Sequence, residues 1–517
     1  MDTTYSRRSV LRTGAILGGA AALPFGFTGQ AFAARDRLTV RVVRDIQNLD
    51  PANRVSFIEG NVIRAVCQRL ISFKPGTFEW EPDAAKTITQ VSPTLIEFEL
   101  KPGQMFHGGY GELTAEDVKF SFERFRQPGP DGKPHQYAKD WEALDRVEVT
   151  GTHTGRIHLK TPAPAIWLVT LPDGSGALVS KKAFEALGDK VKNTLIGSGP
   201  YTFAEWQPNQ RIVLKANPDW KGPKMAFNEI VLRPVQDPKT AELAYRSGEL
   251  DFTVIEPTGA KDMARVANTK VISQDSINFV WIGINVEKPP FDNPKVREAI
   301  RKAIDVDQVI LAAYNGAVGR AKALVAPGLL GHWADAPVHK RDVAGAKALL
   351  AEAGHGGGFK AKLTLLNRPA YQTAGVVVQA LLAEVGIDLQ LEVLDGGSFW
   401  SAGNGDAGKN LDLSIQRFGG KADPAFQTQW FVSEQVGVWN WQRWKNPEFD
   451  RLYAAAASTI DSNERARLYI EMQKLMDQSA AYIWLTHEVN VFASRSWLKP
   501  AILPNGDDLQ FDKFTDA

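Results

Sequence analysis

Recognisable catalytic motifs in this chain would be built on its serines, its eight histidines or its one cysteine, while its 59 carboxylates are too many for a catalytic pair to be excluded from sequence. Ser175, Ser198 and Ser398 lie in glycine-rich stretches, where a nucleophile elbow could form. An elbow needs glycine two residues to each side of the serine, so that a tight turn can present the hydroxyl. None of the three has both. His487-Glu488 opens the stretch HEVNV, which lacks the second histidine of a zinc-protease helix. The remaining histidines (107, 135, 153, 158, 332, 339 and 355) are scattered. Only His153 and His158 are near neighbours, and five apart is a poor helical spacing for a shared metal. Cys67 is alone, so it forms no internal disulfide. The stretch GHGGG at 354–358 follows a helical pattern, whereas a phosphate loop precedes one; it reads as a helix stop. The expectation is a chain that is not an enzyme and holds no metal or cofactor.

Binding chemistry is better represented. The stretch RFGGKADPAFQTQWFVSEQVGVWNWQRW, residues 417–444, holds four of the chain's fourteen tryptophans. Trp439 and Trp441 share a face only on an extended backbone, and Trp444 breaks that alternation. The flanking glycines and the Asn446-Pro447 step read as loop. Rings crowded on a loop suit a ligand wall at least as well as a core.

The elements that must position these residues alternate between strand and helix patterns. Residues 37–45 and 92–103 alternate like strands, the second ending in Pro102-Gly103. In LTAEDVKFSFERF, Thr114 is a helix N-cap with Asp117 three residues on, and Val118, Phe122 and Phe125 share one face. Residues 198–217 read as a hairpin turning at Gln207–Gln210. Later come a helix before Gly248, a helix pair ending at Gly316, a helix over DVAGAKALLAEAG, the strand KAKLTLLN and the helix GVVVQALLAEVG. IDLQLEVLD follows as a strand, then the helices NPEFDRLYAAAA and SNERARLYIEMQKLMDQSAAYIWLT. The first half mixes hairpins with helices and the second is rich in βαβ units, which gives an α/β protein with two lobes.

Composition narrows the class. A chain of 517 residues exceeds one ordinary core, and 44% apolar with 23% charged residues is globular. Sixty basic residues against 59 acidic ones argue against a nucleic-acid partner. No internal apolar run is long enough for a membrane span. At the N-terminus, Arg7-Arg8 precedes an apolar stretch and the small-x-small pattern Ala31-Phe32-Ala33, which reads as an export signal over residues 1–33 of the twin-arginine type. That segment carries Arg7, Arg8 and Arg12 against Asp2, so its removal turns a net charge of +1 into about −1. The expected product is a periplasmic monomer without a membrane span.

Six collinear segments carry a resemblance. They are LDP (49–51), LTAEDVKFSFERF, IGSGPYTFAEWQPNQRIVLKANPDW, FDNPKVREAIRKAIDVDQVI, DVAGAKALLAEAG and NPEFDRLYAAAA. In order and spacing the chain, from about residue 38 to 510, resembles the family 5 extracellular solute-binding proteins, the oligopeptide, dipeptide and nickel-type receptors of ABC importers. The resemblance implies a type II periplasmic binding-protein fold with a ligand cleft between two lobes. Lobe I would span 38–275, with an inserted subdomain at about 74–196. Lobe II would span 276–488, and 489–517 would return to lobe I. Crossovers near 277–284 and 486–491 would form the hinge. The partners implied are a small solute and a membrane permease; an exported enzyme or a chaperone-like peptide holder on the same scaffold is the alternative.

The resemblance also transfers residue by residue. Dipeptide-type members have an arginine before a proline, after the strand matching KLTLL, that grips the ligand carboxylate; here it is Arg368-Pro369. An arginine at a strand end can equally be a surface residue, and the sequence leaves both readings open. Peptide binders share Trp/Ser-x-Asp-x-x-Asp/Glu-Pro, whose first acid holds the peptide ammonium. Asp423-Pro424 matches the second half as a structural acid, but Gly420 replaces the first acid and Lys421 follows it. A buried ammonium would then lack its partner, at a penalty of several kcal/mol, which speaks against ordinary peptides and for modified peptides, opine-like or other carboxylated solutes. The segment has no histidine for nickel. Phe418, Trp439 and Trp441, with Trp400 after Gly396-Gly397, are the expected ring contacts, Arg417 could pair an anion from the same wall, and Trp430 and Trp444 are assigned to packing.

Overall fold

The computed structural model describes residues 36–129 and 132–516. The export signal expected over residues 1–33, with Arg7-Arg8, lies outside the described residues. Strands and helices assemble into two lobes, each built on its own sheet. The first sheet has seven strands, in the order Thr269–Asp275, Val489–Arg495, Phe252–Ile255, Arg37–Val42, Glu229–Pro234, Arg211–Ala216, Tyr201–Gln207. Arg37–Val42 is its centre, parallel to both neighbours, and it buries Leu38, Val40 and Val42. The hairpin read at 198–217 is present as the last two strands, with Asn209 at φ 60° in the turn.

A four-stranded antiparallel sheet is attached to this lobe, in the order Ala85–Ser92, Leu95–Leu100, Thr154–Leu159, Leu144–Val149. The helix Ala115–Glu123 packs on it and starts at Thr114, whose capping box with Asp117 closes in both directions. Its Phe122 stacks on Trp141 at 4.1 Å.

The second lobe has a five-stranded sheet, in the order Ile387–Leu394, Phe359–Leu366, Leu413–Phe418, Phe279–Ile284, Tyr482–Thr486. The pleat sorts its side chains. Val280, Ile282, Leu413 and Ile415 face the helices Pro294–Ala303, Val306–Tyr314 and Pro369–Ala383. Phe279, Trp281 and Phe418 face Pro447–Ser458 and Ser462–Ser479. That second face is held from below by a buried ion pair. Arg465 Nη2 donates to both carboxylate oxygens of Asp423, at 2.8 and 2.7 Å, and Tyr469 Oη donates to one of them at 3.2 Å.

One element differs from the sequence reading. The helix expected to run through Thr486 stops at Ser479, Ala480 turns left-handed at φ 51°, and Tyr482–Thr486 is a fully buried strand. A short apolar run fits a helix tail or a strand equally well. The open edge of Phe279–Ile284 decides, because it gains a ladder of hydrogen bonds from this partner.

The chain passes between the sheets twice, at 276–278 and at 487–488. On each side of the crossing the same two segments are antiparallel neighbours: Thr269–Asp275 with Val489–Arg495, then Phe279–Ile284 with Tyr482–Thr486. Two parallel tethers of two or three residues are the geometry of a hinge. Among the described residues no helix is long and apolar enough to cross a membrane.

Candidate functional site

In open α/β sheets, ligands bind beyond the carboxyl ends of the strands, where successive connections leave in opposite directions. In the five-stranded sheet this point lies between Phe359–Leu366 and Leu413–Phe418. From the first strand the chain moves outward to Ile387–Leu394, and then returns across it to the second. Leu365 is level with Ile415, so the two strand ends bring Arg368 and Arg417 to the same edge, which faces the crossings to the other lobe.

Register places the partners of Arg417. Val280 is paired with Arg417 on one side and Thr486 on the other, so Arg417 ends beside the turn at Glu488. Arg417 Nε donates to Glu488 Oε2 at 2.9 Å, and its Nη2 lies 3.5 Å from Asp507 Oδ2. Tyr371 and Tyr314 both donate to Glu488 Oε1, at 3.2 and 3.4 Å. Arg368 Nη1 donates to Tyr371 Oη at 3.2 Å, and Asn278 Nδ2 to Asp507 Oδ2 at 3.4 Å. Arg368 itself is exposed, so the rest of its fork is open to a carboxylate.

The electrostatics suit holding rather than transferring protons. Burial acts to raise the Glu488 carboxyl, but Arg417 and Arg368 outweigh it and hold it below its usual range. Burial pushes Asp507 up, against the pull of Arg417, and raises the phenols of Tyr371 and Tyr314. The phenols therefore stay protonated as donors, and Glu488 is an ionised acceptor occupied by its neighbours. Its backbone is left-handed at φ 61°, a conformation that costs a non-glycine residue about 1–2 kcal/mol. Strain of this kind persists where surrounding contacts over-determine it.

The rings lie on the other face of the same edge. Arg417 and Phe418 are consecutive on a strand and leave on opposite sides, so Arg417 does not share the wall of the rings; its anion is Glu488, within the chain. Phe418 meets Trp439 edge-on at 5.8 Å and stacks with Trp400 at 6.1 Å. Trp430 closes the group, 5.8 Å from Trp439. Trp439 is 36% exposed and Trp400 partly so. Trp441 is 1% exposed and supports Trp400 from behind with Phe399, while Trp444 packs on Phe449 and Tyr482.

Gly420 is buried, and its amide donates to Asn278 Oδ1 at 3.3 Å. An added Cβ would lie 2.4 Å from the Ile277 carbonyl oxygen, so this position cannot carry any side chain on the present backbone. Gly420→Asp should therefore destabilise the protein by about 3 kcal/mol, read from its thermal midpoint, and confer no binding of free dipeptides. Lys421 crosses to the first lobe, with Nζ 2.8 Å from Asp173 and 3.6 Å from Asp140.

Tyr371, Tyr314 and Asp507 were not singled out from sequence, and Glu488 was considered only beside His487 as a fragment of a zinc-protease motif. Glu488 lies inside the expected crossover at 486–491, and an acid in a hinge was the available signal. Its neighbour His487 donates from Nε2 to the Leu324 carbonyl at 3.1 Å, and burial lowers its pKa to about 4. The unfolded chain, titrating near 6.5, binds more protons below that pH, so stability falls as pH drops. The loss should be roughly 2 kcal/mol between pH 7 and pH 5, and urea titrations of His487→Gln should show a flatter profile.

A wider depression, about 680 Å³, lies on the seven-stranded sheet, but it is lined by ion pairs such as Arg37–Glu229 and Arg233–Glu249. It reads as a solvated charge ladder.

Comparison with known proteins shows the fold and the family. The chain is 28% identical over 475 residues to a probable D,D-dipeptide-binding periplasmic protein of Escherichia coli, covering 88% of this chain and 89% of that one. It is 29% identical over 479 residues to a glutathione-binding protein of Pectobacterium atrosepticum, covering 90% of each. A periplasmic binding protein of Helicobacter pylori solved with the peptide STSA superposes with a TM-score of 0.81 at 26% identity, covering 93% of this chain and 98% of that one. All three are binding proteins. The family model for bacterial extracellular solute-binding proteins, family 5 (middle), matches residues 79–457. With most of its length matched, this chain belongs to the family 5 bacterial extracellular solute-binding proteins.

Proposed function

We propose that the protein is the receptor of an ABC importer for a carboxylated organic solute that needs no free α-ammonium group. The observation that carries this is Arg368, an exposed guanidinium fork at the switch point whose one side-chain hydrogen bond among the described residues is to a tyrosine hydroxyl. Arg417 is already neutralised by Glu488, so the fork offered to a ligand is a single one and fits a single carboxylate. Gly420 leaves no room for an acid, and the neighbouring Lys421 is already paired with Asp173, so this segment offers an ammonium no free carboxylate. The dipeptide- and glutathione-binding names of the relatives fit a carboxylated ligand. Trp439 and Trp400 would cover its apolar part, with Phe418 and Trp441 buried behind them. Binding would favour the closed form by its differential affinity, and the importer would read that form.

A thermal-shift screen of residues 34–517 tests this, using free dipeptides, amine-blocked dipeptides, opines and carboxylated conjugates. A ligand at about 100 times its dissociation constant adds roughly 2.7 kcal/mol. Amine-blocked or non-peptide acids should stabilise the protein. Stabilisation by free dipeptides alone would overturn the reading, and turnover of a stabilising ligand would replace it with an enzyme. We further propose export in the folded state by the twin-arginine route, supported by Arg7-Arg8. Replacing both by lysine should hold the protein in the cytoplasm, and undiminished export of that variant would rule the route out.

A further inference from the structure

Ser198, which failed as a nucleophile elbow, has another use. The glycines beside it press the backbone against the end of the helix Phe57–Val66. A Cβ at Gly197 would lie 2.0 Å from the Val66 carbonyl oxygen, and one at Gly199 2.7 Å from it. Ser198 instead lines a cavity of about 360 Å³ formed by residues 68–105, 198–223 and Lys513. It is 2% exposed, and its hydroxyl has no hydrogen-bond partner among the described residues. Gln68, 3% exposed, lines the same cavity. Its Nε2 donates to Gln104 Oε1 at 2.6 Å and to Asp83 Oδ1 at 3.2 Å, while its Oε1 has no partner.

A buried polar atom left unpaired costs about 1–3 kcal/mol, so two of them lining one cavity call for an occupant with both donors and acceptors. Trp220 supplies an aromatic surface. Its Nε1 is spent on the Pro223 carbonyl at 3.1 Å, which leaves the ring as its contribution. The lining charges balance: Lys101, Lys221 and Lys513 against Glu81, Asp83 and Asp219. Neither sign of ion is selected. The size falls in the range of small-molecule sites, roughly 300–1,000 Å³.

We propose that this cavity is a second binding site for a neutral hydroxylated ring compound, a mono- or disaccharide. Its hydroxyls would pair with Ser198 and Gln68, and its apolar face would lie on Trp220. The site shares no residue with the carboxylate site and works whatever that site binds.

Saturation-transfer NMR on the mature chain, with glucose and maltose as probes at up to tens of millimolar, tests it. At least one sugar should receive transfer from the wild type. Trp220→Ala should weaken its binding about tenfold or more, and Arg368→Ala should leave it unchanged. Trp220 is partly exposed, so its variant should fold, with the thermal midpoint as the control. Gln68→Leu provides an independent check from the opposite wall. Transfer to neither sugar overturns the proposal. So does transfer that survives Trp220→Ala, or transfer that disappears with Arg368→Ala.

Discussion

Arg368→Ala should weaken binding of a carboxylated ligand by on the order of 10²- to 10³-fold and leave the fold intact. The side chain is exposed and covers no core. Its loss removes one hydrogen bond to Tyr371, whose hydroxyl still donates to Glu488. A ligand carboxylate in the enclosed cleft would lose a charge-assisted fork with nothing to replace it, since Arg417 is held by Glu488 and Asp507. Arg368→Lys keeps the charge but not the fork and should fall between the two. Isothermal titration with a stabilising ligand measures this. Equal affinities for wild type and Arg368→Ala would make the arginine a surface residue and move the site elsewhere.

Asp423→Ala should have the largest effect on stability, a loss of about 3–5 kcal/mol. Arg465 would remain buried, with the Ala456 carbonyl at 3.2 Å and Tyr469 Oη as its company. Tyr469 would lose the carboxylate that its hydroxyl now serves. Urea unfolding followed by tryptophan fluorescence would read the change, because Trp444 and Trp484 belong to the same core. A loss below about 1 kcal/mol would mean that water reaches Arg465 once the carboxylate is gone.

Local signals were legible where a few residues decide the outcome. Thr114 with Asp117 fixed one helix start, Asn315-Gly316 one helix stop, and Gln207–Gln210 one hairpin turn. The strand Tyr482–Thr486 was not, because an apolar run becomes a strand only when a neighbouring edge claims it. The candidate site was legible by halves. The rings stood out by their crowding, and Arg368 by its match to the family's arginine-proline step. The closure of Arg417 by Glu488 did not, because it depends on the register of three strands brought together from residues 280, 417 and 486. The burial of Trp441 behind an exposed Trp439 has the same origin: the loop's path over Phe399 sets it, and no periodicity encodes that path.

The position of Val489–Arg495 in the seven-stranded sheet sets the order in which the protein can be made. That strand sits between Thr269–Asp275 and Phe252–Ile255, yet it follows both in the chain by more than two hundred residues. Until it arrives, the strands at 252–255 and 269–275 present unpaired edges, which invite pairing with another chain. Neither lobe can pair its connecting strand fully before residues 482–495 are made, since Tyr482–Thr486 completes the other sheet in the same stretch. Native structure thus rests on contacts more than two hundred residues apart, a topology that folds slowly. The nascent protein should depend on chaperones that shield those edges until residues 482–495 have emerged.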